Sequence, residues 1–79
     1  MTNYEKYLNV FTKMFSVSEE DAVKLEYQGI PDWDSVGHME LVATIEEAFD
    51  IMMDTDDIID FNSFGKGKEI LSRGYSIEF

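Results

Sequence analysis

The chain has 79 residues, of which 44% are apolar, and it contains no cysteine. This length builds one small domain, and without cysteine there are no disulfides, no thiolate metal sites and no cysteine catalysis. The longest unbroken apolar runs, such as Leu41-Val42-Ala43, are far too short for a membrane helix, and the N-terminus has no signal pattern. We therefore expect a single free-standing domain over residues 1–79 that is soluble, cytoplasmic and monomeric.

The charge is strongly acidic and unevenly distributed. Six Lys and Arg stand against 17 Asp and Glu, which gives a net charge of −11. No Lys or Arg occurs between Lys24 and Lys66, and the carboxylates of that interval account for the whole imbalance. Such a surface repels phosphate backbones and anionic membranes, so we expect no nucleic-acid and no membrane partner. The concentration of charge in one segment favours a face that docks on basic partners, although a charge excess also serves solubility alone.

The apolar residues predict helices and no strands. Apolar positions from Tyr4 to Phe15 recur at steps of three and four, which predicts a first helix with Asn3 as its N-cap. A long connection over residues 16–34 follows, with a short helical turn at Ser18–Asp21 that resembles a capping box.

The other predicted helices lie in the second half of the chain. The second begins at Asp34 or Ser35, the third is short with a cap at Asp54 or Thr55, and the fourth is capped by Ser63 and stops near Gly74. The side chains expected to face the core from these helices are Val36, Met39, Val42, Ile45 and Phe49, widened by Leu41 and Ala48, then Ile58 and Ile59, then Phe64, Ile70 and Leu71. The predicted fold is all-α: a small four-helix bundle with three longer helices, one short helix and a long loop between helices one and two.

The tetrapeptide Asp34-Ser35-Val36-Gly37 carries the clearest chemical signal. A serine at a helix start is exposed and lies in the positive field of the helix N-terminus, where unpaired N–H groups stabilise an attached anion. On its own, Ser35 would more often be a simple N-cap.

The surrounding residues favour the chemical interpretation. In chain order, Asp34-Ser35-Val36, Glu40-Leu41 and Glu46-Glu47 followed by Phe49 resemble the modification motif of acyl carrier proteins, and Asn62-Ser63-Phe64-Gly65 resembles the opening of that family's last helix. The resemblance extends from the first helix to Leu71. A lone Asp-Ser-Val would be weak evidence, but its combination with length, acidity and helix order is strong.

The resemblance implies a bundle of acyl-carrier type and a specific function. Ser35 would carry 4′-phosphopantetheine, transferred from coenzyme A by a phosphopantetheinyl transferase, with Asp34 and Val36 as the flanking motif residues. The terminal thiol would then carry acyl or aminoacyl groups as thioesters to partner enzymes. Glu40, Glu46 and Glu47 correspond to acidic positions by which the family docks on basic patches of enzymes that load and transfer the acyl group. The chain would be a carrier for fatty-acid, polyketide or other secondary-metabolite biosynthesis, a substrate of enzymes and not an enzyme.

Three residues depart from the family pattern. Gly37 and His38 replace an acid and a small polar residue, and Trp33 replaces a small residue common in fatty-acid carriers. Gly37 weakens the first helical turn by about 1 kcal/mol relative to Ala. Relatives that carry D-alanine also have a glycine two residues after the modified serine, so an aminoacyl cargo stays open.

Other interpretations use the same residues differently. A hydrolase would pair Ser35 with His38, one helical turn apart, but no oxyanion hole is recognisable, and a lone His at this position is more often a surface residue or part of a partner contact. A calcium loop from Asp60 fails because Phe64 and Leu71 occupy positions that need oxygen ligands, so no metal site is predicted. An unmodified acidic helical adaptor that recruits a basic partner remains the main alternative.

Overall fold

The computed structural model describes residues 1–79 and consists of helices and loops, with one isolated bridge between Glu26 and Ser63 in place of a sheet. Its radius of gyration of 11.3 Å matches the about 11.6 Å expected of a compact chain of this length. The five helices are α1 (Asn3–Phe15), α2 (Glu19–Ala22), α3 (Ser35–Phe49), α4 (Thr55–Asp60) and α5 (Phe64–Gly74).

The first helix begins with a capping box. The Thr2 hydroxyl accepts a hydrogen bond of 3.1 Å from the Glu5 N–H, and the Glu5 carboxylate accepts one of 2.9 Å from the Thr2 N–H. The hydrogen bond from the Thr2 backbone N–H, and after it the Thr2 hydroxyl, hold the pKa of the Glu5 carboxyl below its usual value. The prediction that Asn3 is the N-cap was therefore wrong by one residue, because the Thr2–Glu5 pair satisfies two N–H groups at once.

The connection between α1 and α3 is ordered by its own short helix and by α5. The Ser18 hydroxyl caps α2 by accepting a hydrogen bond of 3.2 Å from the Asp21 N–H, so the predicted turn is a fifth, four-residue helix. Farther along, the Phe64 N–H donates to the Leu25 carbonyl oxygen and the Tyr27 N–H donates to the Asn62 carbonyl oxygen, both at 2.9 Å. These bonds fix the long connection on the start of α5.

The predicted starts of the later helices are confirmed. Asp34 is the N-cap of α3, Asp54 that of α4, and Ser63 that of α5, where its hydroxyl accepts from the Lys66 N–H at 3.0 Å. None of the five helices combines the length and the apolar character that a membrane-spanning helix needs.

The core is apolar and rich in aromatic rings. Its centre is Phe11, whose ring packs within 5.0–6.4 Å, centroid to centroid, of rings from α1, from α5 and from the loops that precede α3 and α5. Helix α5 reaches this cluster at Gly67, where a Cβ atom would overlap the Phe61 ring and the Tyr7 hydroxyl. The sixteen buried apolar side chains are Tyr7, Leu8, Phe11, Phe15, Ala22, Leu25, Trp33, Leu41, Val42, Ile45, Met53, Phe61, Phe64, Ile70, Leu71 and Ile77.

Three side chains that were predicted to face the core are exposed instead. Val36, Met39 and Ile59 are 67%, 56% and 71% exposed. Helix α3 buries Leu41, Val42 and Ile45, all three of which were predicted to face the core, and α4 buries no side chain completely. The apolar residues of α3 span more of its circumference than the bundle covers, so Val36 and Met39 lie on its uncovered part, while Ile59 is exposed on α4.

Candidate functional site

Ser35 is the first residue of α3, and its side chain is exposed. Capping is done by its neighbour, because Oδ1 of Asp34 accepts a hydrogen bond of 2.8 Å from the Gly37 N–H. The Ser35 hydroxyl makes no hydrogen bond within the chain. The serine is therefore not the cap of the helix, and its hydroxyl is open to a reagent from solvent.

The backbone at this helix start has spare donors. The N–H of His38 bonds to the Asp34 carbonyl oxygen, and that of Gly37 bonds to the Asp34 side chain, whereas those of Ser35 and Val36 have no partner. Unpaired N–H groups at the positive end of a fifteen-residue helix favour a negative charge next to them. An anion esterified to Ser35 would lie beside these groups.

Gly37 is explained by local packing. A Cβ atom at this position would overlap the carbonyl oxygen of Asp32, so the loop before α3 lies directly on the first turn of the helix. Any other residue would push that loop away together with Trp33 and Asp34. The glycine has a structural reason here that does not depend on the cargo, and it carries no argument for an aminoacyl group.

His38 and Trp33 form a hydrogen-bonded bridge that sequence reasoning missed. The Trp33 indole is fully buried, and its Nε1–H donates to Nδ1 of His38 at 3.0 Å. Because an indole N–H only donates, Nδ1 must be unprotonated, and Nε2 then carries the proton that it donates to the Ile58 carbonyl oxygen at 2.8 Å. His38 is half-buried and both of its ring nitrogens are engaged within the chain, so it is not a freely exposed surface residue.

The bridge leaves Ser35 without a base. Both ring nitrogens of His38 are engaged elsewhere, and no hydrogen bond joins His38 to Ser35. A nucleophilic serine needs a base within hydrogen-bond reach and an orienting group behind it. The geometry therefore gives no support to the hydrolase interpretation.

A groove opens next to Ser35, between the start of α3 and α4. It has a volume of about 370 Å³ and is mostly apolar. Its lining residues are Tyr27, Ser35, His38, Met39, Ile58, Ile59, Phe61 and Asn62. The groove combines an exposed hydroxyl at its edge with a mostly apolar wall.

The three acidic residues predicted to dock on partners differ in their surroundings. Glu40 and Glu47 are exposed on α3. Glu46 is half-buried, and its Oε2 accepts a hydrogen bond of 2.8 Å from the Met53 N–H, so it also holds the loop that leads to α4. The one ion pair of the chain, Arg73 with Glu69 at 3.6 Å, lies on α5. The carboxylates of α3 thus have no basic partner within the molecule.

Outside this region the surface has a larger depression and no candidate metal site. A larger, polar depression of about 660 Å³ lies between residues 23–27 and the start of α5, and it contains no histidine and no residue of the Asp34–Val36 motif. No group of three or more His, Asp and Glu side chains is arranged to hold a metal ion.

The comparisons with known proteins give no match. No protein-family model fits the chain, and neither a curated protein sequence nor a solved structure is significantly similar to it.

Proposed function

We propose that the protein is an acyl carrier protein that bears 4′-phosphopantetheine on Ser35. The single observation that carries this proposal is the Ser35 hydroxyl, which is exposed, unbonded and placed at the start of α3 while Asp34 does the capping. The thiol at the end of the arm supplies the sulfur that the cysteine-free chain lacks, and acyl or aminoacyl groups travel on it as thioesters.

The attachment is a phosphoryl transfer whose chemistry the transferase provides. Oγ of Ser35 attacks the phosphorus that bears the pantetheine arm of coenzyme A, the bond from that phosphorus to the bridging oxygen breaks, and adenosine 3′,5′-bisphosphate leaves. The hydroxyl proton passes to a base of the transferase. The free N–H groups of Ser35 and Val36 then lie beside the phosphodiester anion, which favours the modified state.

The surface around Ser35 suits enzymes that must reach the arm. The exposed side chains of Val36, Met39 and Ile59 provide apolar contact area next to the hydroxyl. Glu40 and Glu47 on the same helix carry charges that no lysine or arginine of this chain neutralises. An enzyme with a basic rim around an apolar patch would be attracted by the charges and held by the apolar contacts.

The test is incubation with coenzyme A and a promiscuous phosphopantetheinyl transferase, followed by mass measurement of the intact protein. We expect the mass to increase by one phosphopantetheinyl group in the wild type. The increase should disappear in Ser35→Ala and persist in Ser72→Ala, which removes another exposed helical serine. A folded wild type whose mass does not change contradicts the proposal.

An unmodified adaptor is the second candidate, because the exposed Val36, Met39 and Ile59 and the uncompensated acids would also suit a stable protein partner. It makes no use of the Ser35 hydroxyl. Under this alternative, Ser35→Ala would retain every interaction of the wild type and no mass increase would occur. The cargo of a carrier, fatty acyl, polyketide or aminoacyl, would be identified from the thioester on protein isolated from its native cell.

A further inference from the structure

Helix α4 forms one side of the groove next to Ser35, yet little holds it in place. It has six residues, none of its side chains is fully buried, and its N-cap Asp54 makes no side-chain capping bond. A helix of this length is not stable by itself in water, so its position depends on contacts with the rest of the chain. Two polar contacts reach its backbone: His38 bonds to the Ile58 carbonyl oxygen, and Tyr75 bonds to the Asp54 N–H.

The bridge through His38 connects three parts of the chain. His38 itself lies in the first turns of α3. Its ring accepts a hydrogen bond from the indole N–H of Trp33, in the loop before α3, and donates one to the Ile58 carbonyl oxygen in α4. The rings of Tyr27, Trp33 and Phe61 surround it at centroid distances of 5.4–6.2 Å. The imidazole therefore cannot turn or leave without giving up two hydrogen bonds and its packing.

The charge state of His38 determines whether the bridge exists. Nδ1 must offer a lone pair to the Trp33 N–H, which only a neutral imidazole does. If solvent protonates Nδ1, two N–H groups face each other and the bond to Trp33 is lost. Among the side chains that line the groove with His38, only Tyr27 is titratable, and no carboxylate oxygen lies within 4.0 Å of the imidazole nitrogens to stabilise a charged ring.

We infer that His38 is a positioning residue: through its two ring hydrogen bonds it clamps α4 and the Trp33 loop to the start of α3. Ser35 precedes His38 by one helical turn, and both residues line the groove. The clamp therefore sets the shape of the surface that a transferase meets at Ser35. The link to modification rests on the proposed function, whereas the clamp itself does not.

Two substitutions separate hydrogen bonding from packing. His38→Gln keeps one acceptor and one donor but does not titrate, whereas His38→Phe fills the space and leaves the Trp33 N–H and the Ile58 carbonyl oxygen unpaired. At neutral pH we expect amide hydrogen exchange in residues 55–61 to accelerate on the order of tenfold in His38→Phe and to stay near the wild-type rate in His38→Gln. Equal protection in His38→Phe and the wild type, or equal loss in both variants, overturns the inference.

The transferase gives a readout that a purely structural residue would not move. We expect His38→Phe to raise the KM for the apo-protein about tenfold with little change in kcat, and His38→Gln to recover most of the loss. Wild-type values in His38→Phe would overturn the link between clamp and Ser35. If the wild type itself is not modified, the proposed function fails, and the hydrogen-exchange experiment still decides on the clamp.

Discussion

The phenol of Tyr75 donates a hydrogen bond of 2.7 Å to the carboxylate of Asp57, which joins the segment after α5 to the first turn of α4. The same oxygen accepts a hydrogen bond of 2.8 Å from the Asp54 N–H. Tyr75 thus fixes the N-terminal end of α4, whose N-cap side chain makes no capping bond.

Replacing Tyr75 with Phe removes both hydrogen bonds and keeps the ring. We expect the free energy of unfolding to fall by about 1 kcal/mol, measured by urea denaturation at neutral pH. Tyr4→Phe is the matched control, because the Tyr4 hydroxyl makes no hydrogen bond and its ring contacts with Phe64 and Lys68 survive. Equal losses in the two variants would mean that the Tyr75 hydroxyl contributes nothing specific.

Alkaline pH should destabilise the fold by ionising the same Tyr75 phenol. Desolvation raises the pKa of Tyr75, and the nearby Asp57 raises it further. A phenol with a raised pKa in the folded state stabilises the fold below the unfolded value of about 10 and loses that contribution as the pH rises through the folded value. Burial also raises the pKa of Tyr7. As the pH rises above about 9, the stability of the wild type should therefore fall, and Tyr75→Phe should reduce this slope but not remove it.

Two helix glycines offer a matched test of the contact between Gly37 and the Asp32 carbonyl. Gly37→Ala should lower the free energy of unfolding by about 2 kcal/mol, because the new methyl group overlaps a backbone oxygen. Gly65→Ala, in the first turn of α5 with nothing near the new methyl group, should raise it by about 0.5–1 kcal/mol through helix propensity. Thermal unfolding measures both, and stabilisation by Gly37→Ala would show that the loop yields easily.

Ser16 ends α1 with a left-handed backbone, φ 53° and ψ 48°. Glycine adopts this conformation without the steric cost that a Cβ brings, so Ser16→Gly should raise the free energy of unfolding by about 0.5–1 kcal/mol. Ala43→Gly, at an exposed position within α3, should instead lower it by about 1 kcal/mol. Opposite signs in the two glycine variants support the conformational explanation, and a loss in both would contradict it.

Docking is tested by charge reversal at exposed positions. The pair Glu40→Lys and Glu47→Lys should slow modification by the transferase by about tenfold at low ionic strength, with less effect in high salt, because the acids attract a basic partner. The pair Glu20→Lys and Glu78→Lys makes the same change in net charge on exposed residues outside α3 and should have little effect. Glu46 is unsuitable because its carboxylate binds the Met53 N–H. Equal slowing by both pairs would indicate a dependence on net charge alone.

Local signals in the sequence were enough to predict most helix boundaries. Ser18, Asp34 and Ser63 all cap helices as their residue types indicate, and the hydrogen bond from Gly37 to Asp34 explains why Ser35 is free. The error at Asn3 has the same origin, because Thr2 is an equally good cap and only the reciprocal bond with Glu5 decides between them.

Tertiary features were beyond sequence reasoning. The apolar pattern of α3 is broad enough to permit more than one buried face, and only the packing of the other helices selects Leu41 over Met39. The bridge from Trp33 through His38 to Ile58 joins residues five and twenty positions apart, and no periodic pattern encodes such a contact. The spacing of Ser35 and His38 suggested a catalytic pair, whereas the structure directs both histidine nitrogens to other atoms.

Two of the three polar contacts that reach α4 bind main-chain atoms, the carbonyl oxygen of Ile58 and the amide of Asp54, and the third binds the Asp57 side chain. Every residue type supplies the carbonyl oxygen, and every type except proline supplies the amide. The exposed residues at positions 55, 56, 59 and 60 make none of these contacts, so they can be substituted without releasing α4 from the rest of the chain. Substitutions on the outer face of α4 can therefore change which partners the protein prefers while the rest of the fold stays the same.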